Sequence, residues 1–139
     1  MLDHEKLVVY QQELKFLTWV TEFLIELSQV TIASTREVRD QLDRASVSIL
    51  LNTAEANGRR RGQQRAKYFD EARGSALECG ACLDAAVAKK FVAKERIDQG
   101  KGILIGIVSM LVKLVEYFDS RGAERAAPRT NSMRRARGR

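Results

Sequence analysis

The residues that could act in catalysis or bind a metal do not form a recognisable set in this chain. Its one histidine is His4, and two glutamates near the middle, Glu55 and Glu78, invite comparison with the carboxylate ligands of a di-iron site. Ferritin-like sites pair glutamates with histidines at a spacing of three residues, so one histidine at the N-terminus argues against that chemistry. We therefore predict no metal site and no catalytic residue set.

Two cysteines, Cys79 and Cys82, have the Cys-x-x-Cys spacing found in zinc and redox sites. A structural zinc site needs four ligands and a thioredoxin-like site needs a βαβ setting, and the sequence pattern offers neither. We interpret both cysteines as small buried helix residues. The sequence thus predicts a protein that is not an enzyme and has no cofactor.

Positive charge is concentrated in two segments. Residues 58–67 carry five basic side chains and no acidic one, and three of the five lie between the helix-breaking glycines Gly58 and Gly62. Residues 120–139 contain seven arginines against one acid. Clustered cations attract the phosphate backbone of nucleic acids with little sequence readout. The predicted contacts to RNA or DNA are Arg59, Arg60, Arg61, Arg65, Lys67, Arg134, Arg135 and Arg137.

A polar stripe accompanies the apolar face of the second predicted helix. Ser48, Asn52 and Glu55 follow one another at intervals of four and three residues, which places them on one side of a helix. With a turn centred near Arg61, the next helix runs back so that Ser48 faces Ser75. Partly buried polar groups are costly unless they are paired. We predict a structural network that fixes the register of the two helices, formed by Arg44, Ser48, Asn52, Glu55, Ser75 and Glu78.

The composition favours long helices. One proline and nine glycines in 139 residues give too few turn signals for an all-β fold, and 45% apolar residues suffice for a core. Apolar residues recur every three or four positions along four segments. We predict an all-α protein, an antiparallel up-down-up-down four-helix bundle over residues 1–119, with helices at about 3–28, 34–57, 63–91 and 94–119.

Two local signals predict details of the helices. Ser34 followed by Glu37 has the spacing of a capping box, in which each side chain binds a free backbone N–H of the first turn. The third helix is rich in small residues, among them Gly74 and Gly80, which would let a neighbouring helix approach closely.

The first and last helices carry more apolar surface than one bundle buries. In helix 1 we interpret one stripe as the core and a second stripe as a contact with another chain. The first stripe is Tyr10, Leu14, Leu17, Val20, Leu24 and Leu27, and the second is Val9, Phe16, Trp19 and Phe23. Helix 4 likewise has two adjacent seams, one through Leu104, Val108 and Leu111 and one through Ile103, Ile107 and Met110. We therefore predict a homo-oligomer assembled through helices 1 and 4.

The sequence also predicts the C-terminal tail, the cellular location and the distribution of charge in the bundle. Residues 120–139 are too polar to bury a face and are predicted to form a disordered, arginine-rich tail. The longest apolar stretch, 103–112, is too short to span a membrane, and the N-terminus lacks a secretory pattern, so we expect a cytoplasmic protein. In an up-down bundle, the loop after helix 2 and the end of helix 4 meet at one pole, which would collect both basic segments.

The residues around the basic loop resemble a known family. The segments S-I-L-L-N-T-A-E-A-N-G-R (48–59) and F-D-E-A-R-G-S-A-L-E (69–78) are similar to the bacterial four-helix-bundle proteins encoded in 23S ribosomal RNA intervening sequences. The resemblance covers about residues 3–119. The chain departs from the family pattern at Leu50, Thr53, Ala56 and Glu71, where proline, isoleucine, glycine and isoleucine are usual.

The resemblance implies an assembly and a class of function. The family looks like a homopentamer of four-helix bundles, and it is similar to the accessory protein of diversity-generating retroelements, which works with a reverse transcriptase. Together with the charge pattern, this predicts a non-enzymatic homo-oligomer that binds nucleic acid through a basic pole. The alternative hypothesis is a structural or protein-interaction bundle, whose arginines only keep it soluble and have no affinity for nucleic acid.

Overall fold

The computed structural model describes residues 3–126 of the chain. Two short 3-10 helices and four α-helices follow one another in that range, which contains no strand. They are η1 (Asp3–Lys6), α1 (Val8–Ser28), α2 (Arg36–Gly58), α3 (Gly62–Ala88), η2 (Lys94–Ile97) and α4 (Asp98–Ala126). Each α-helix packs against the next and α1 also packs against α4, which closes an antiparallel up-down-up-down bundle. The predicted fold class is confirmed.

The last helix is longer than predicted. It runs to Ala126 instead of ending near Asp119, because the residues that follow Ser120 are mostly alanine, arginine and glutamate, which favour helix even when solvated. The predicted tail of 120–139 therefore begins inside α4, and its remainder lies outside the described residues. No helix within residues 3–126 has an apolar stretch long enough to cross a bilayer.

The helix α1 is rotated relative to the predicted orientation. Phe16, Trp19 and Phe23, interpreted above as a contact with another chain, are buried inside the bundle together with Val9, whereas Leu14 is 37% exposed. The three rings stack in series, with centroids 5.9 Å apart for Phe16 and Trp19 and 4.9 Å apart for Trp19 and Phe23. Aromatic rings bury the largest apolar area per residue, so the helix turns them inward. Of the stripe predicted as core, Val20 and Leu27 are buried, whereas Tyr10, Leu17 and Leu24 are half-buried.

The other helices bury their faces largely as predicted. The face predicted for α2 is buried throughout, at Val38, Leu42, Ala45, Ile49 and Ala56. In α3 the predicted Phe69, Ala72, Ala76 and Leu83 are buried, with Cys79 and Ala86 taking the places expected for Gly80 and Val87. In α4 the buried residues include Leu104 and Leu111 from one predicted seam and Ile107 from the other. Both seams of α4 therefore contribute to the core of a single chain.

The start of α2 differs from the predicted capping box. The residue that precedes the helix is Thr35, which is buried and makes no side-chain bond to the first turn. Its hydroxyl donates to the carbonyl oxygen of Leu27 at 3.0 Å and accepts from Arg39 Nε at 2.9 Å. The threonine thus joins the end of α1 to the start of α2. The Ser34 hydroxyl accepts from the backbone N–H of Arg36 at 3.4 Å, but Glu37 makes no reciprocal bond with any described residue, so only half of the predicted capping box forms.

The connection from α3 to α4 is fixed against α1. The Arg96 guanidinium lies 5.2 Å from the ring centroids of both Trp19 and Phe23. Its Nε donates to the two carboxylate oxygens of Glu26 at 2.8 and 2.9 Å. Gly100, in the first turn of α4, packs so closely on the Trp19 ring that a Cβ would lie 2.5 Å from two ring carbons. A glycine is therefore required at this point of the α1–α4 contact.

The glycines of α3 do not play the role predicted for them. A Cβ added to Gly74 or Gly80 would meet no atom within 4 Å among the described residues. The close approach expected at α3 is present all the same, because α3 packs closely against both α2 and α4 and its small residues Ala72, Ala76 and Ala86 are buried. The glycine on which a neighbouring side chain packs is Gly100 of α4, under the Trp19 ring.

We expect opposite effects of alanine at Gly100 and Gly74. Gly100→Ala should lower the free energy of unfolding by about 1–3 kcal/mol, because Trp19 must move to admit the methyl group. Gly74→Ala should raise it by about 0.5–1 kcal/mol, because the space is open and alanine has less backbone entropy to lose. Urea unfolding followed by circular dichroism measures both, and equal effects of the two substitutions would contradict the packing at Trp19.

Candidate nucleic-acid interface

The basic loop and the end of α4 meet at one pole of the bundle. The loop residues Arg59 to Arg61 connect α2 to α3. Near the start of α3, the guanidinium of Arg65 lies 5.3 Å from the ring centroid of Phe118 in α4, and the Phe69 ring stacks on the same ring at 5.8 Å. The segment η1 packs against α2. The chain therefore leaves α4 beside the basic loop, which is the arrangement that the up-down topology predicts.

Arg59 is bound within the protein. Its Nη2 forms an ion pair with Glu55 one turn earlier and donates to the hydroxyl of Tyr68 at 3.2 Å. Its guanidinium also lies 4.8 Å from the centroid of the Tyr68 ring, within the range of a cation–π contact. These contacts fix the end of α2 to the start of α3 and use much of the binding capacity of this arginine.

Arg65 closes the loop from the other side. Its Nε donates to the backbone carbonyl oxygen of Arg59 at 2.6 Å, and its guanidinium covers Phe118. A charge-assisted bond to a carbonyl at a helix end satisfies an acceptor that the helix itself leaves open. The structure thus gives two of the predicted phosphate contacts, Arg59 and Arg65, a role in holding the loop.

The remaining cations of the loop face solvent. Arg60, Arg61 and Lys67 are exposed. The side chains of Arg60 and Arg61 make no hydrogen bond or ion pair with any residue that the structure describes. Lys67 Nζ lies 5.3 Å from the ring centroid of Tyr68. The predicted contacts in the tail, Arg134, Arg135 and Arg137, lie outside the described residues.

The aromatic residues next to the loop offer little surface for stacking a base. Phe69 is buried in the core, and both Arg59 and Lys67 lie over the ring of Tyr68. Direct stacking on aromatic rings, which many single-strand binders use, is therefore not available at this position.

Three of the six predicted network residues come together. The hydroxyls of Ser48 and Ser75 lie 2.9 Å apart across α2 and α3, as the register of the loop requires. Asn52 Nδ2 donates to the carbonyl oxygen of Ser48 at 3.0 Å and to its hydroxyl at 3.1 Å. This cluster ties α2 to α3 at mid-height.

The other three network residues lie elsewhere. Glu55 pairs with Arg59 at the pole, one turn beyond the cluster. Arg44 donates to Gln41 Oε1 at 2.6 Å on its own helix, and Glu78 is exposed on α3. Long side chains at the bundle surface reach solvent or neighbours on the same helix more readily than a partner across the groove.

A buried polar pair joins α1 to α2, and sequence reasoning missed it. Thr53 Oγ1 donates to Glu13 Oε2 at 2.7 Å, and both residues are buried. The other carboxyl oxygen, Oε1, has no hydrogen-bond partner among the described residues. Burial raises the pKa of Glu13 to about 8, and the bond from Thr53 only partly offsets this effect. The sequence does contain a signal for this pair. Glu13 lies four residues after Val9 and three before Phe16, which places its carboxyl group on the same face of α1 as the buried aromatic residues.

The cysteines form no disulfide, and no metal-binding group among the described residues includes them. Cys79 is buried and Cys82 half-buried, both as free thiols. Burial raises the pKa of both thiols, which makes them poor nucleophiles at neutral pH. Within residues 3–126, no group of three or more histidine, cysteine, aspartate or glutamate side chains is placed to hold a metal ion.

The fold and the pole define the class of the protein, an antiparallel four-helix bundle with a cationic loop at one end. Its sequence matches the family model of the 23S rRNA-intervening sequence protein over residues 5–113, and the chain belongs to that family. A crystal structure of a protein of unknown function from the S23 ribosomal protein family, from Bacteroides thetaiotaomicron, has the same fold. The TM-score is 0.71 at 18% identity, with 78% of this chain and 98% of that chain covered. A comparison with curated proteins finds no match.

The buried carboxyl should make stability depend on pH. The folded chain keeps the Glu13 proton up to about pH 8, whereas an unfolded chain releases it near pH 4.5. The free energy of unfolding should therefore fall as pH rises between these values, by at most about 1.4 kcal/mol per pH unit, and level off above them. Urea unfolding across this range measures the slope. Glu13→Gln should flatten it, and Glu22→Gln, an exposed control on the same helix, should not.

Proposed function

We propose that the protein is a non-enzymatic, homo-oligomeric bundle that binds the phosphate backbone of RNA or DNA through its basic pole. The observation that carries this proposal is the exposure of Arg60, Arg61 and Lys67 on a loop that Arg59 and Arg65 hold in place. A loop with a fixed backbone and exposed guanidinium groups is suited to bind phosphate, because arginine donates two parallel hydrogen bonds to a phosphate group.

The sequence that follows α4 supports the same proposal. The helix α4 runs to the basic pole, and residues 127–139, which come next in the sequence, include Arg134, Arg135 and Arg137. Cations from the loop and the tail would then act on one ligand, and an oligomer would multiply their number. Binding of this kind is strongly salt-dependent and reads little sequence.

The family gives the proposal a biological setting. Its name refers to an intervening sequence of 23S ribosomal RNA, so an association with nucleic acid is consistent with membership. We infer a cytoplasmic role accessory to a reverse transcriptase or another nucleic-acid enzyme, in which the bundle holds the nucleic acid and the partner does the chemistry.

The apolar surface supports the oligomer. With the aromatic stripe of α1 buried, the large exposed apolar residues include Val8 and Leu14 on α1, Leu77 on α3, and Ile105 and Tyr117 on α4. Leu77 and Ile105 border a groove of about 420 Å³ between α3 and α4, whose other walls include Gly80 and the ion pair of Lys101 with Asp84. We propose a homo-oligomer, a pentamer by the resemblance, with α4 and the flanking faces of α1 and α3 in the contact. The same groove favours the second candidate, a protein-interaction bundle.

Neutralising the exposed loop cations should weaken nucleic-acid binding. Arg60→Gln with Arg61→Gln should lower affinity for a mixed RNA and reduce the slope of log K against log salt by about 0.7 per lost single-strand contact. Filter binding at several salt concentrations measures both quantities. The control, Lys89→Gln with Lys94→Gln, removes the same charge from the opposite pole, where both lysines are exposed. Deleting residues 127–139 should reduce the slope further. If neither the loop variant nor the deletion changes the affinity or the slope, the proposal is contradicted.

A charge in the α3–α4 groove should break the oligomer. Ile105 is 67% exposed, so Ile105→Asp should leave the fold intact and shift the mass toward 15.7 kDa in light scattering after size exclusion. Ile32→Asp places the same charge on a comparably exposed isoleucine, 70% exposed in the connection between α1 and α2 and outside the proposed contact, and should not change the mass. A wild-type protein that is already a monomer would refute the proposed assembly.

A further inference from the structure

A concave surface of about 650 Å³ lies beside the basic loop. It is lined by His4 of η1, by Leu51, Ala54, Glu55 and Gly58 of α2, and by Arg59. Arg60 and Arg61 follow in the chain directly after the last of these residues. A ligand whose phosphates bind the loop would therefore bring its other groups to this pocket.

The lining combines an apolar floor with a fixed carboxylate. Leu51 is 61% exposed although it is a large apolar residue, and Ala54 lies next to it along the helix. Glu55 is exposed and held by its ion pair with Arg59, so its remaining lone pairs point away from that partner. His4 is held in turn by an edge-to-face contact with Tyr10, with ring centroids 4.8 Å apart.

This lining matches the chemistry of a nucleobase. A base has flat apolar faces, which suit Leu51 and Ala54, and a polar edge. A carboxylate accepts hydrogen bonds only, so it pairs with the N4 amino group of cytosine and is repelled by the O4 of uracil. A base in a duplex is stacked and paired, so only an unpaired base can present that edge to a pocket.

We propose that the pocket of His4, Leu51 and Glu55 takes one unpaired base that carries an exocyclic amino group, cytosine among the RNA pyrimidines, from a single strand whose phosphates contact Arg60 and Arg61. The inference rests on the proposed function and adds a preference to it. Phosphate binding at the loop supplies affinity, and the pocket distinguishes one base from another. Single strands are bound in preference to duplexes for the same reason.

The test compares the affinities of the protein for oligocytidine and for oligouridine, measured by fluorescence anisotropy at fixed ionic strength. Both probes are about 12 nucleotides long, a length within the site size of single-strand binders. The two probes carry the same charge and differ in the base edge. The wild type should prefer oligocytidine about fivefold, the lower end expected for a specific base contact. A parallel measurement with oligodeoxycytidine shows whether the protein recognises the base alone or the ribose as well.

Variants assign the preference to the pocket. Glu55→Gln keeps a hydrogen bond to Arg59 and should abolish the preference for cytosine while leaving both oligomers bound. Leu51→Ser should weaken binding of oligocytidine. Ile32→Ser, a similar loss of apolar surface at an isoleucine 70% exposed in the connection between α1 and α2, at the opposite pole, should not. Circular dichroism checks that each variant is folded.

The outcomes separate the pocket from the proposed function. Equal binding of both oligomers by the wild type, or a preference that Glu55→Gln leaves intact, overturns the pocket while phosphate binding at the loop stands. Stronger binding of a duplex of the same length also overturns it. Failure of every oligomer to bind at low salt overturns the proposed function as well.

Discussion

The repulsion among like charges in the loop between α2 and α3 is the constraint on which the basic pole depends. Five cations fall within ten residues and without an acid among them, so a tight turn brings them close together. The structure offsets this with Glu55, the rings of Tyr68 and Phe118, and the carbonyl oxygen of Arg59. Arg59 and Arg65 take most of these partners, and Lys67 shares the ring of Tyr68. Arg60 and Arg61 are therefore held in place by their neighbours and have no side-chain partner among the described residues.

The polar pairs inside the bundle determine how the pole is assembled. Ser48 and Ser75 set α2 against α3, which places Arg59 over Tyr68 about three turns further along α2. Thr53 and Glu13 set α1 against α2 by a bond that is satisfied only in one register. A buried carboxyl is costly unless it is protonated or paired, so this pair contributes specificity more than stability. An interface of purely apolar contacts would allow one helix to slide along the other.

Periodicity predicted the elements well and the rotation of α1 poorly, for physical reasons. The apolar face of α2 is a single stripe, and its burial at Leu42, Ala45 and Ile49 followed directly. Both stripes of α1 are apolar, so spacing alone could not tell which one faces inward, and ring size decided it. The bond from Thr35 to Leu27 depends on contacts eight residues apart at a corner, which no local capping pattern contains. At the pole, sequence identified the cations, but only the geometry separated Arg59 and Arg65 from Arg60 and Arg61.

That separation changes how the charges of this family member should be understood. Within the loop, the cations that have protein partners, Arg59 and Arg65, shape the backbone, whereas Arg60 and Arg61 face solvent. Loss of Arg59 or Arg65 would disturb the loop as well as any bound phosphate, because both make contacts that define its course. Only the exposed pair reports on ligand binding without changing the surface that presents it.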